Sequence, residues 1–272
     1  MVCRWSGQEE SVENIDEAVR DRYAAAASRI QAQGSCCETS CCDGDPVSRG
    51  HYAGGELVQV NLTEGASLGC GNPTLLAELQ PGETVLDLGS GAGLDVLLAA
   101  RRVGPGGHAY GVDMTDEMLN LANQNQLKAG INNATFLQGT IEAIPLPADS
   151  VDVVISNCVI NLARDKRAVL VEAFRVLRPG GRLAVSDMVE VEELAPTLKE
   201  SLDAWAGCVA GTIPVREYRQ ALLDAGFVET QFDITRTYSA GDVGLPDAAG
   251  MIGSASIRAR VPAAKRNQSA VS

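Results

Sequence analysis

Between Gly82 and Ser186 the chain alternates short apolar, β-branched runs with stretches of helical period. Thr84 to Leu88, Ala109 to Val112, Thr135 to Leu137, Val151 to Ile155 and Leu183 to Ser186 are too short for helices. They read as strands buried on both faces. Leu94 to Arg102, Asp116 to Ala129 and Lys166 to Leu177 carry helical periodicity, and Arg178-Pro179-Gly180-Gly181 stops the last of them. Such alternation predicts an α/β fold with a doubly wound, mostly parallel sheet and helices on both faces.

The flanks are less regular. Residues 11–33 carry helix signals, with Ser11 as a cap, Asn14 and Asp16 in the first turn and Ala24 to Ala27 to propagate it. Gly34 to Gly44 is a loop by composition and holds Cys36, Cys37, Cys41 and Cys42. Residues 45–80 are irregular apart from a short helix, Thr74 to Leu79, started by Asn72-Pro73. Beyond residue 189, Leu194 to Val209 and Tyr218 to Ala225 read as helices, and Phe227 to Ile234 and Ser256 to Val261 as strands completing the sheet. The expected organisation is an N-terminal helix and cysteine-rich loop (1–50), a core (51–189), a cap with the remaining strands (190–261) and a disordered tail (262–272).

Composition narrows the function. A chain of 272 residues with 45% hydrophobic content can bury a sizeable core. A net charge of −13 argues against nucleic acid and anionic membrane as partners, since both need a basic face. No run reaches the ~18 apolar residues of a membrane span, and Met1-Val2-Cys3-Arg4-Trp5 lacks an apolar signal core. The expectation is a cytoplasmic protein. In that compartment eight cysteines are thiols that bind or react rather than a disulfide framework.

The sequence Val85-Leu86-Asp87-Leu88-Gly89-Ser90-Gly91-Ala92-Gly93 follows a strand and opens a helix. Its glycines let backbone approach a ligand closely. Asp113 ends the next strand, 20 residues after Gly93, where a carboxylate can bind both hydroxyls of a ribose. A dinucleotide loop would place its third glycine at position 94, which is Leu94. The pattern D-x-G-x-G-x-G instead resembles class I S-adenosylmethionine (SAM) methyltransferases. That resemblance implies Asp87 near the donor's amino group and Met114 against its adenine. Thr140, Ile141, Glu142 and Asn157 would border the adenine and the methionine end.

Cys158 ends the Val151 strand, at the carboxyl edge where open α/β sheets bind ligands. Cys70 sits between Gly69 and Gly71, and Cys208 lies between Gly207 and Gly211. None belongs to the short local pairs of a zinc site, and no metal is expected. Each alone reads as a small buried hydrophobe. Ser67 to Pro73, the glycine loop, Gly139 to Glu142, Ser156-Asn157-Cys158-Val159-Ile160-Asn161-Leu162 and Ala206-Gly207-Cys208 together resemble arsenite methyltransferases, over about Tyr52 to Ile234. Two positions depart from that family, His51 and Leu68 standing where it carries aromatics.

The resemblance implies that Cys70, Cys158 and Cys208 are the catalytic, arsenic-binding thiols, with arsenite and methylarsenicals as substrates and SAM as the methyl donor. Soft trivalent arsenic selects thiolates. Cys158 and Cys208 would hold arsenic throughout, with Cys70 the third ligand for inorganic arsenite. Methylation formally oxidises arsenic, so a thiol pair must reduce it again, the disulfide being reopened by thioredoxin or glutathione. The resemblance pairs Cys70 with an upstream cysteine, and Cys36, Cys37, Cys41 and Cys42 are the redox candidates. Two alternatives stay open: a class I methyltransferase of a small organic substrate with structural cysteines, and a non-catalytic metalloid-binding protein. The number of methyl groups added and the preference among arsenite, methylarsenite and antimonite are not legible, nor is the oligomeric state.

Overall fold

The computed structural model describes residues 7–33, 51–52, 54–60, 62, 69–194, 211–239 and 250–264. The cysteine-rich loop, the expected helix from Leu194 to Val209 with Cys208, and most of the expected tail lie outside these residues.

The first helix is α1 (Gly7–Gln33), followed by two short ones, α2 (Gly54–Gln59) and α3 (Pro73–Leu76). The alternating region then gives β1 (Thr84–Leu88), α4 (Leu94–Val103), β2 (His108–Asp113), α5 (Asp116–Ala129), β3 (Ala134–Gln138) and β4 (Val151–Asn157). A 3-10 turn (Ile160–Leu162) leads to α6 (Lys166–Val176), β5 (Leu177–Glu190), α7 (Val215–Asp224), β6 (Val228–Thr237) and β7 (Ile252–Arg260).

Seven strands form one sheet in the order β3-β2-β1-β4-β5-β7-β6. The first five are parallel, as expected, while β7 enters antiparallel between β5 and β6. The expected stop at Arg178 to Gly181 proves to be an irregularity inside β5. Leu177 already pairs with Val151, and the register then shifts to Val153 against Arg182.

Alternate strand residues face opposite layers, which is what a sheet buried on both sides requires. Leu86 and Val154 join α6 and α7 residues such as Leu170 and Tyr218. Val85, Val153 and Ile155 pack with Leu97 and Ala100 of α4. Tyr218 is fully buried. A smaller apolar cluster roofs the carboxyl end of the sheet and contains Val19 of α1, Cys70, Cys158, Leu162 and Met188. Ala26 and Ala27 of α1 pack with Met118 and Leu121 of α5, which lays α1 over that end. No described helix is long and apolar enough to cross a membrane.

Candidate active site

The carboxyl ends of β1, β2 and β4 open into a cleft of about 300 Å³. Asp87, Gly89, Ser90, Gly91, Asp113, Met114, Thr140, Ile141, Glu142, Asn157 and Cys158 all line it. Gly93 does not; it caps α4 in a left-handed conformation, φ +87°. A Cβ there would lie 2.7 Å from the Phe136 ring, so the glycine is needed for close packing. Ser90 turns its side chain onto Gly111 of β2, where any Cβ would lie 2.7 Å from it.

Asp113 ends β2 with both oxygens engaged. One accepts the Gly91 N–H at 2.9 Å and the other the Thr115 N–H at 2.9 Å. Each oxygen keeps lone-pair capacity for a hydroxyl. Burial raises the carboxyl of Asp113, and these backbone donors oppose the rise. Asp87 is raised far more, first by burial and then by the like charges of Asp95 and Asp113. Asp95, in the first turn of α4, also lines the cleft, and no motif marks it in the sequence. Burial pushes it up to about 6, opposed by hydrogen bonds from Tyr52 and Asn157 and by Arg102.

These three carboxylates test whether the implied donor fits. Among the described residues none of them makes an ion pair, and Asp87 accepts no side-chain hydrogen bond. Buried like charges need a cation or must take up protons. A ligand carrying a sulfonium and an ammonium group, with a ribose diol for Asp113, meets that demand. Gly91 leaves room on the loop: a Cβ added there would find its nearest neighbour, the Met118 sulfur, only at 4.0 Å. The residues present therefore fit SAM.

Cys70 and Cys158, 88 residues apart, are joined by a disulfide with Cα atoms 5.8 Å apart. The expected pairing of Cys70 with one of the N-terminal cysteines falls on residues outside those described. Two chain segments converge at the end of β4, and their separation suits a disulfide. Both residues are buried. The candidates Cys36, Cys37, Cys41 and Cys42, and the third expected ligand Cys208, lie outside the described residues.

The Cys70 turn is held by Asn157. Its Oδ1 accepts the Cys70 N–H at 3.0 Å and the Gly71 N–H at 3.2 Å, and its Nδ2 reaches the Gly71 carbonyl at 2.9 Å. The same Nδ2 lies 2.9 Å from the Tyr52 hydroxyl, which is 2.8 Å from each oxygen of Asp95. Asn157 thus borders the cleft, while its amide is engaged in positioning a thiol. The flanking glycines follow from this closeness. A Cβ on Gly69 would lie 2.1 Å from the Asn157 amide carbon, and one on Gly71 would lie 2.6 Å from Ser186.

Sequence reasoning marks α1 as a helix but missed its place at the cleft. Asp16, Val19, Arg20 and Tyr23 line the cleft, so the N-terminal helix covers the candidate donor site. Apolar periodicity could mark the helix but not where it docks.

Comparisons with known proteins agree with this geometry. Residues 79–238 match a family model described as a methyltransferase domain. A protein from Aquipseudomonas alcaligenes named arsenite methyltransferase is 34% identical over 246 residues, covering 87% of this chain and 68% of the relative. Another of that name from Halobacterium salinarum is 42% identical over 228 residues, which is 79% of this chain but 58% of the relative. The chain thus spans little more than half of that relative's length. The crystal structure of an arsenic(III) S-adenosylmethionine methyltransferase from Chlamydomonas reinhardtii superposes with a TM-score of 0.64 at 31% identity, covering 80% of this chain and 75% of that one.

Proposed function

This chain belongs to the arsenite methyltransferase family of class I SAM-dependent methyltransferases, and we propose that it transfers methyl groups from SAM to thiol-bound trivalent arsenic. The observation that carries the proposal is the meeting of the Cys70 and Cys158 sulfurs beside a cleft lined by buried carboxylates. A site for an organic acceptor has no evident use for two adjacent sulfurs.

Asp87, Asp113, Met114, Thr140, Ile141, Glu142 and the Gly89–Gly93 loop would hold the donor. When bound, it supplies an electrophilic methyl group on a sulfonium, which the lone pair of trivalent arsenic can take. Cys70, Cys158 and Cys208, as thiols, would displace the three hydroxyls of arsenite, each As–S bond releasing one water. No net proton is exchanged, so no general base is required. The chain's contribution is alignment: Cys158 sits at the cleft wall and Asn157 fixes Cys70 against it. Alignment of this kind can be worth ~7–11 kcal/mol of barrier.

The Cys70–Cys158 disulfide is the oxidised, resting form in this scheme. Two electrons and two protons from thioredoxin or glutathione reopen it to two thiols by exchange. A cytoplasmic location suits this need for free thiols.

The test is incubation of reduced protein with SAM and arsenite, followed by arsenic speciation. Wild type should form methylated arsenic. Cys158→Ser should form none while its SAM titration is unchanged, and turnover persisting in that variant would overturn the assignment.

A further inference from the structure

Cys158 has φ +59°, in the left-handed region that side chains other than glycine avoid. Something must over-determine that turn. Its own N–H donates to the Ser186 carbonyl at 2.8 Å. The chain then enters the 3-10 turn Ile160–Leu162, whose Asn161 side chain is fully buried and reaches across to β5. There Asn161 Nδ2 donates to Asp187 Oδ1 at 2.8 Å and to the Met188 carbonyl at 2.6 Å. Lys166 Nζ braces the same turn from α6, donating to the carbonyls of Asn161 at 3.2 Å and Ala163 at 3.1 Å.

Neither Asn161 nor Asp187 lines the cleft. Resting on the assignment of Cys158 as an arsenic ligand, we propose that Asn161 and Asp187 are positioning residues that hold the Cys158 thiol in its left-handed turn, aimed at Cys70 and the donor cleft. The pair is built for fixed geometry. Asp187 also accepts the Met188 N–H at 2.9 Å, which fixes its carboxylate along β5. The remaining atoms, Asn161 Oδ1 and Asp187 Oδ2, are buried without a protein partner on two side chains already joined by one hydrogen bond. A protonated Asp187 carries an O–H donor where the carboxylate has none. Its burial favours that form, Lys166 opposes it, and buried Tyr218 faces the same group from α7.

Loss of this pair should affect arsenite and methylarsenite alike, because Cys158 serves both. A change at Cys70 affects arsenite alone. The experiment measures binding of arsenite, methylarsenite and SAM to Asp187→Ala, Asp187→Asn and Asn161→Ser, each reduced with a phosphine so that no dithiol competes for arsenic. Asp187→Ala and Asn161→Ser should each weaken both arsenicals at least about tenfold and leave SAM affinity within about twofold. Asp187→Asn keeps the acceptor for Asn161 and should bind arsenic as wild type does. Arsenic affinity unchanged in either truncation overturns the assignment, as does an equal fall in SAM affinity, which would mean general loss of packing. Should Asp187→Ala not fold, Asn161→Ser alone decides. A wild-type protein that binds no arsenite would overturn the functional reading, and this assignment with it.

Discussion

Asp187→Asn should make the protein more stable near and above neutral pH and remove part of its alkaline sensitivity. Asp187 is fully buried on β5. Burial pushes its carboxyl from 3.8 up to about 7, against the opposing pull of the Met188 N–H, Lys166 and Asn161. Between these two values the folded state holds a proton that the unfolded chain has released. Stability from this group is therefore full below about pH 4 and lost as pH rises through about 7. At 1.36 kcal/mol per pH unit the interval is worth about 4 kcal/mol, a large share of the 5–15 kcal/mol typical of a folded protein. An amide of the same shape carries no charge at any pH. Its oxygen can accept from Asn161 and Met188, and its nitrogen replaces Asp187 Oδ2, which is buried without a hydrogen-bond partner. Urea unfolding of both proteins, fully reduced, at about pH 5, 6, 7 and 8 measures the effect. The advantage of the variant should grow by about 1.4 kcal/mol per pH unit up to about pH 7 and then level off. Buried Asp87, Asp95 and Asp113 shift in the same direction and contribute to both curves, so the difference isolates Asp187. Curves that run parallel in pH would show that Asp187 is already charged well below neutrality and would refute the reasoning.

The other predictions concern the cleft and the glycine loop beside it. Cys70→Ser should abolish methylation of arsenite while methylarsenite turnover falls less than about threefold; equal losses in a substrate-by-substrate rate comparison would remove its role as third ligand. Asp113→Ala deletes a charged acceptor and should weaken SAM binding by about 2–3 kcal/mol, roughly 30- to 150-fold, with arsenite affinity unaffected. An unchanged calorimetric SAM titration would refute the ribose assignment. Gly93→Ala combines φ +87° with a Cβ 2.7 Å from Phe136 and 3.1 Å from Ala122. It should destabilise the fold by about 2–5 kcal/mol in urea unfolding, and a loss under about 1 kcal/mol would mean that the loop yields easily.

The parallel part of the sheet is legible in the sequence because β1 to β4 and the Leu183 to Ser186 part of β5 are short apolar runs, most of them beside helices of clear period. The insertion of β7 between β5 and β6 is not, since pairing order depends on contacts that leave no local trace. The same limit separates the two thiols. Cys70 and Cys158 can be recognised as candidates, but only the fold brings their Cα atoms to 5.8 Å. Gly69 and Gly71 are visible as a turn, yet their reason is the Asn157 amide on one side and Ser186 on the other. The place of Asn157 at a strand end points to the donor. A side chain there can face either the cleft or its neighbours, and here its amide is engaged by Cys70, Gly71 and Tyr52.

Cys158 shows why the site resists purely local reading. Local preference opposes φ +59° for a cysteine that follows a strand. The turn persists because contacts distant in sequence agree on it: the Ser186 carbonyl from β5, the Asn161–Asp187 pair behind it and the sulfur of Cys70 in front. Strain of this kind survives only where the surroundings over-determine it, and such places concentrate where geometry serves chemistry. A thiol free to relax would leave the cleft wall. Held as it is, Cys158 keeps its sulfur between the second thiol and the carboxylate-lined cleft.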